Sequence, residues 1–135
     1  MKGITVALCL VIALVGCSHP FTGRVDFQAP HGWTHSNDPT AGETWIKPDG
    51  SNQSIMAQTA NAPLPPREPG WKDIQICGHH PAVLMFQRND SGQLWEGVST
   101  NWNGHRYMVV YARPASTPAD PAAEAAIRTI CLKRN

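Results

Sequence analysis

The chain carries almost no excess charge of either sign. Eleven basic residues face ten acidic ones, and Lys2 is the only charged residue before Arg24. Such a balance gives no electrostatic case for binding nucleic acid or an anionic lipid surface. No glycine-rich phosphate loop or dinucleotide fingerprint occurs, which removes the motif-based case for a nucleotide enzyme. No G-x-S-x-G elbow occurs either. The acidic residues Asp26, Asp38, Glu43, Asp49, Asp73, Asp90 and Glu96 are scattered, and no spacing among them forces a carboxylate dyad. Glu96 is the best placed of them, on a strand, and reads as an outward, solvated residue. There is no internal repeat and no second domain boundary. These absences point away from an enzyme, and they imply no cofactor.

What is present begins at the N-terminus. Lys2 supplies a positive start, Ile4 to Val15 an apolar run, and Gly16 a small residue before Cys17. That is the layout of a secretory signal. The run is short of the roughly 20 apolar residues that a membrane-spanning helix needs. Leu14-Val15-Gly16-Cys17 resembles a bacterial lipobox. The resemblance implies that residues 1–16 are a lipoprotein signal peptide, cut off before Cys17. It further implies that the Cys17 sulfur receives diacylglycerol and its new amino group an acyl chain such as palmitate. The expected location is the cell envelope, with the membrane held through the lipid on Cys17. Ser18 resembles the residue of lipoproteins not retained in the inner membrane, so an outer membrane is expected in a host with two. Residues 17–24 read as a short tether of at most ~25 Å. Residues 25–135 read as a single α+β domain.

The four cysteines divide simply. Cys9 leaves with the signal and Cys17 carries lipid. Cys77 and Cys131 remain, in an oxidising compartment, as a pair. Linking them closes a long loop, worth about 4 kcal/mol in the chain-entropy model. The alternative reading makes Cys77 a nucleophile or metal ligand beside His79 and His80.

The rest of the chain reads mainly as strands. Val25-Asp26-Phe27 alternates, and Ala29-Pro30-His31-Gly32-Trp33 is a turn leading into a second strand. Glu43 to Lys47 is a strand closed by the turn Pro48-Asp49-Gly50. Ser54 to Ala60 is a further strand. Asn61 to Gly70 holds Pro63, Pro65, Pro66 and Pro69 and reads as a stiff extended connection. Trp71 to Cys77 is compatible with a short helix or a strand. Ala82–Arg88, Leu94–Asn101 and Arg106–Arg113 form a β-meander, with Asn103-Gly104 as a hairpin turn. Asp120-Pro121 starts a C-terminal helix. Ala123, Ala126, Ile127, Ile130 and Cys131 would share its apolar face, and Lys133 and Arg134 would sit at its end.

Six histidines raise the question of a metal. His31 and His35 flank Gly32 in extended or turn structure, where they lie about 13 Å apart. His79-His80-Pro81 is extended, so its two rings point opposite ways. His79 and His80 are the only metal candidates, and no metal site is expected. Five tryptophans are many for this length. Trp33, Trp45 and Trp95 fall in strands and suit a core. Trp71 follows Pro69-Gly70 and Trp102 borders the hairpin turn. Those two are the candidate exposed binding surface, for a protein partner or the membrane.

The order of Phe27-x-x-Pro30-x-Gly32-Trp33, a Trp45 strand with its Pro48-Asp49-Gly50 turn, a proline-rich connection, a three-strand meander and a C-terminal helix resembles the PsbP-like fold. The resemblance implies an antiparallel β-sheet with the C-terminal helix packed on it. It implies a binding or assembly module, with no shared catalytic residues to carry over. The expectation is therefore a membrane-anchored envelope lipoprotein acting as a non-catalytic binding or assembly module. The alternatives are a small-ligand or metal-binding envelope protein, or a hydrolase whose residues carry no recognisable motif.

Overall fold

A computed structural model describes residues 18–20, 25–38, 42–60 and 66–133. The signal run, Cys17, residues 21–24 of the tether, the first part of the proline-rich connection and Arg134 lie outside the described residues. The strands are β1 (Ser18–Pro20), β2 (Val25–Asp26), β3 (Thr34–Asp38), β4 (Gly42–Ile46), β5 (Ser54–Ala60), β6 (Lys72–Ile76), β7 (His80–Arg88), β8 (Gln93–Trp102), β9 (His105–Pro114) and β10 (Cys131–Leu132). Among the described residues one helix, α1 (Pro121–Ala126), lies between β9 and β10.

Eight strands form one sheet in the order β3-β4-β5-β9-β8-β7-β6, with β1 paired to β5 off that path. Every pairing is antiparallel. β2 and β10 make a separate two-stranded ribbon. The β8–β9 hairpin turns at Asn103 (φ 51°) and Gly104 (φ 81°), the left-handed pair that a two-residue hairpin loop requires. Residues 72–76 settle as strand, at the edge beside β7.

β5 has one neighbour along its whole length on one side and two in succession on the other. β9 pairs with all of it, while β4 takes residues from Ser54 to Ala57 and β1 takes Gln58 to Ala60. Gly42 opens β4 beside this junction. A Cβ there would lie 2.9 Å from Gln58 Cγ and 3.0 Å from the Ala57 carbonyl oxygen, at a φ of +84°. Only glycine fits that approach. Within the segment read as a short tether, Ser18–Pro20 pair with β5 at the edge of the sheet.

Alternation sends Ile55, Ala57, Val98, Tyr107, Val109 and Tyr111 to one face. Val25, Ala123, Ile127 and Ile130 join them, all 2% exposed or less. Each fully buried isoleucine contributes about 1.5–3 kcal/mol. The opposite face carries its own cluster of Met56, Met85, Trp95, Met108, Val110 and Ala112.

The helix is shorter than its apolar spacing suggests. Asp120 caps it as expected, accepting from the Ala122 N–H at 2.9 Å. It stops at Ala126, however, and Thr129 shows why. The Thr129 hydroxyl donates to the Ala126 carbonyl at 2.7 Å and accepts the Gln28 N–H at 2.7 Å. It thereby satisfies a helix-end acceptor and ties the chain to the segment after β2. Cys131 then lies in β10, opposite Asp26, rather than on a helix face. Lys133 follows β10 and does not serve the helix end. Among the described residues the fold is thus mainly antiparallel sheet with one short helix.

Candidate functional site

β7, β8, β9 and α1 together frame an open cleft of about 290 Å³. The register builds it. Phe86 pairs with Glu96, Glu96 with Tyr111, and Leu94 with Arg113. These side chains share the sheet face that carries α1, and Glu124 comes down from the helix. Phe86 is 41% exposed and is the one large hydrophobic residue exposed among the described residues.

The cleft mixes charge of both signs. Burial pushes the Glu96 carboxyl up to about 7, a hydrogen bond with Glu124 and its charge add to the rise, and Arg128 and Arg113 oppose it. The neighbouring charge adds to the cost of ionising Glu96, so this carboxyl keeps its proton up to near neutrality. Arg113 is held in place by donating to the Thr117 carbonyl at 2.6 Å. The cleft therefore offers an exposed aromatic ring, the Glu96 carboxyl that gains or loses a proton near pH 7, and the fixed Arg113 cation beside it.

Sequence reasoning reached this site only through Glu96, and as a solvated residue. The residue is in fact half-buried in the cleft. Phe86 sits in an apolar strand where alternation does not mark it as exposed. Glu124 reaches the site only through the packing of the helix, which no spacing encodes.

The residues singled out from the sequence are dispersed. Cys17 lies outside the described residues. Cys77 and Cys131 stand at disulfide distance, with Cα atoms 5.0 Å apart. Their link ties β10, and through it β2, to the β6–β7 turn. Trp102 is corrected from exposed to buried: it is 9% exposed, because His80 stacks on it with ring centroids 4.1 Å apart. His80 Nε2 lies 2.7 Å from the Asn101 carbonyl oxygen. His79 is exposed in the adjoining turn. Among the described residues, no three His, Cys, Asp or Glu side chains gather as a metal-ligand set. Trp71 is half-buried, packs against the second-face cluster, and donates its Nε1 proton to the Phe86 carbonyl at 3.1 Å.

Compared with family models, the chain matches none, and a comparison with curated proteins found no similar sequence. What the cleft can do is therefore read from its own geometry.

Proposed function

We propose that this protein is a lipid-anchored envelope lipoprotein acting as a non-catalytic binding module, and that its recognition surface is the cleft around Phe86. The observation that carries the reading is the exposed Phe86 ring beside the Glu96–Glu124 pair and Arg113. Exposed aromatics flanked by charge are the anchors on which protein interfaces concentrate their energy. The anchor reading rests on Leu14-Val15-Gly16-Cys17 and the apolar run before it. A PsbP-like assignment of the domain is supported by the antiparallel sheet with a helix packed on one face. The partner is then a protein of the envelope.

Two measurements test this. Metabolic labelling with a fatty acid should mark the parent and not Cys17→Ala, and equal labelling would refute the lipid anchor. Capture of partners from the protein's own membranes should lose its specific bands with Phe86→Ser. An unchanged set of captured proteins would remove the cleft as the recognition surface.

The carboxyl pair favours one further reading, a small cationic ligand. A bound ammonium or guanidinium would displace the proton on Glu96 and offset the unfavourable charge of Glu124 beside it. Calorimetric titration with simple alkylamines at pH 7 should then show proton release, and heats independent of the buffer's ionisation enthalpy would exclude it.

A further inference from the structure

The charges at the Phe86 cleft do not balance. Two rows of side chains cross its floor. Phe86, Glu96 and Tyr111 form one, and Arg88, Leu94 and Arg113 form the next, two residues along each strand. Neighbouring strands lie about 4.8 Å apart, so the two arginines flank Leu94 with Cα atoms roughly 10 Å from each other. Arg88 is exposed and Arg113 half-buried. Among the described residues no carboxylate forms an ion pair with either. Arg113 uses one N–H on the Thr117 carbonyl, and its guanidinium has others to offer.

The remaining charges that act on Glu96 come from α1 and the residues after it. Glu124, on the helix, adds to the cost of ionising Glu96, while Arg128, exposed just beyond the helix, opposes it together with Arg113. Asp90 lies in the turn after Arg88, outside the lining of the cleft. While Glu96 keeps its proton, Glu124 is the one ionised carboxylate of the lining, set against Arg88, Arg113 and Arg128. An anion is drawn to that excess and a cation is repelled by it.

We propose that the cleft takes an acidic, extended segment of the partner protein: an aspartate or glutamate carboxylate seats between Arg88 and Arg113, and an apolar side chain two residues away seats on Phe86. This rests on the cleft being the recognition surface and adds the chemistry of what enters it. Spacing agrees. The two rows are about 6.6 Å apart, which is also the distance between residues i and i+2 of an extended peptide, whose side chains point the same way. Chemistry agrees too. Guanidinium groups give carboxylates charge-assisted hydrogen bonds, stronger than neutral ones, and Leu94 and Phe86 supply the apolar floor. Ionisation of Glu96 would place a second negative charge beside the bound carboxylate, so the association should weaken as pH rises through neutrality.

The test uses the purified protein in nonionic detergent and labelled, end-blocked peptides of the form leucine-serine-X, with X glutamate, glutamine or lysine. Affinity is read by fluorescence anisotropy at pH 6. The glutamate peptide should bind at least ~10-fold tighter than the glutamine peptide, and the lysine peptide should bind weakest. Arg88→Gln should remove the preference for glutamate and leave the glutamine peptide unaffected. Arg88 is exposed, so this variant should melt with the parent. Raising the pH from 6 to 8 should weaken the glutamate peptide several-fold, and Glu96→Gln should abolish that dependence. Equal binding of the glutamate and glutamine peptides, tighter binding of the lysine peptide, or binding by none of the three overturns the proposal. Partner capture separates the two failures. Specific bands lost with Phe86→Ser but kept with Arg88→Gln leave the cleft standing and refute the acidic segment, whereas bands kept with both refute the cleft itself.

Discussion

The Tyr111 hydroxyl joins the centre of the sheet to the start of the helix: it accepts the Asp120 backbone N–H at 3.0 Å and donates to the Gln53 side-chain carbonyl. Asp120 in turn caps α1 and pairs with Lys47 at 3.0 Å. One phenol thus organises β5's lead-in, β9 and the helix entry. Tyr111→Phe removes a single oxygen but strands a nearly buried Gln53 acceptor and a backbone donor. The expected loss is about 1–3 kcal/mol in urea denaturation, and an unchanged midpoint would contradict the role given to this hydroxyl.

Asp120→Ala should cost about 1 kcal/mol through the lost cap. Burial works against the Asp120 charge, but the hydrogen bonds from Lys47 and the helix N–H groups prevail and hold its pKa below the usual value. A depressed carboxyl stabilises the fold above its unfolded pKa of about 3.8 and loses that contribution as pH falls through the folded pKa. Acid denaturation of parent and variant should therefore converge at low pH. A gap that persists undiminished would assign the effect to packing instead.

Glu96 works in the opposite direction. Its folded pKa of about 7 lies above the ordinary 4.5. The unfolded chain ionises first, so parent stability should fall as pH rises from about 5 to about 7. Glu96→Gln removes the titrating group and should flatten this slope, leaving the variant the more stable chain at pH 8. Parallel stability curves for parent and variant across that interval would show that Glu96 does not carry a buried proton.

The disulfide and the tryptophans separate frame from surface. Peptide mapping of the purified protein should find Cys77 joined to Cys131. Cys131→Ser should cost about 2–5 kcal/mol, since it releases β10 and β2 together. Trp95→Ala and Trp102→Ala remove buried rings and should each cost about 3–5 kcal/mol. Trp71→Ala should cost less, because that ring is only partly buried at the sheet edge. A thermal melt of the three variants gives the order, and a Trp102→Ala chain melting with the parent would restore Trp102 as a surface residue.

Local chemistry was legible where it acts alone. Asn103-Gly104 announces its hairpin, the alternation from Ala82 to Arg113 announces the meander, and Asp120-Pro121 announces a helix start. Tertiary competition was not. Ala123, Ala126, Ile127 and Ile130 keep helical spacing, yet Thr129 finds Gln28, distant in sequence, and the helix ends early. Trp102 borders a loop and still lies buried, because His80 arrives from another strand to cover it. The cleft was hidden for the same reason: Phe86, Glu96 and Glu124 come from three elements, and only the packing of α1 on the sheet brings them together.

If Cys17 carries lipid as proposed, the strand register sets which end of the domain would face the bilayer. β1 starts one residue after Cys17 and lies opposite Ala60, whose partner on β9 is Arg106. Leu94, on the wall of the cleft, lies opposite Arg113, near the other end of the same strand. At a rise of about 3.3 Å per residue the two stations are about 23 Å apart. An acyl chain on Cys17 would hold the domain upright on one end of β9, with no stalk to let it tumble. The cleft would then look out into the aqueous space, out of reach of lipid headgroups, and whatever docks there must project well clear of the membrane to meet it.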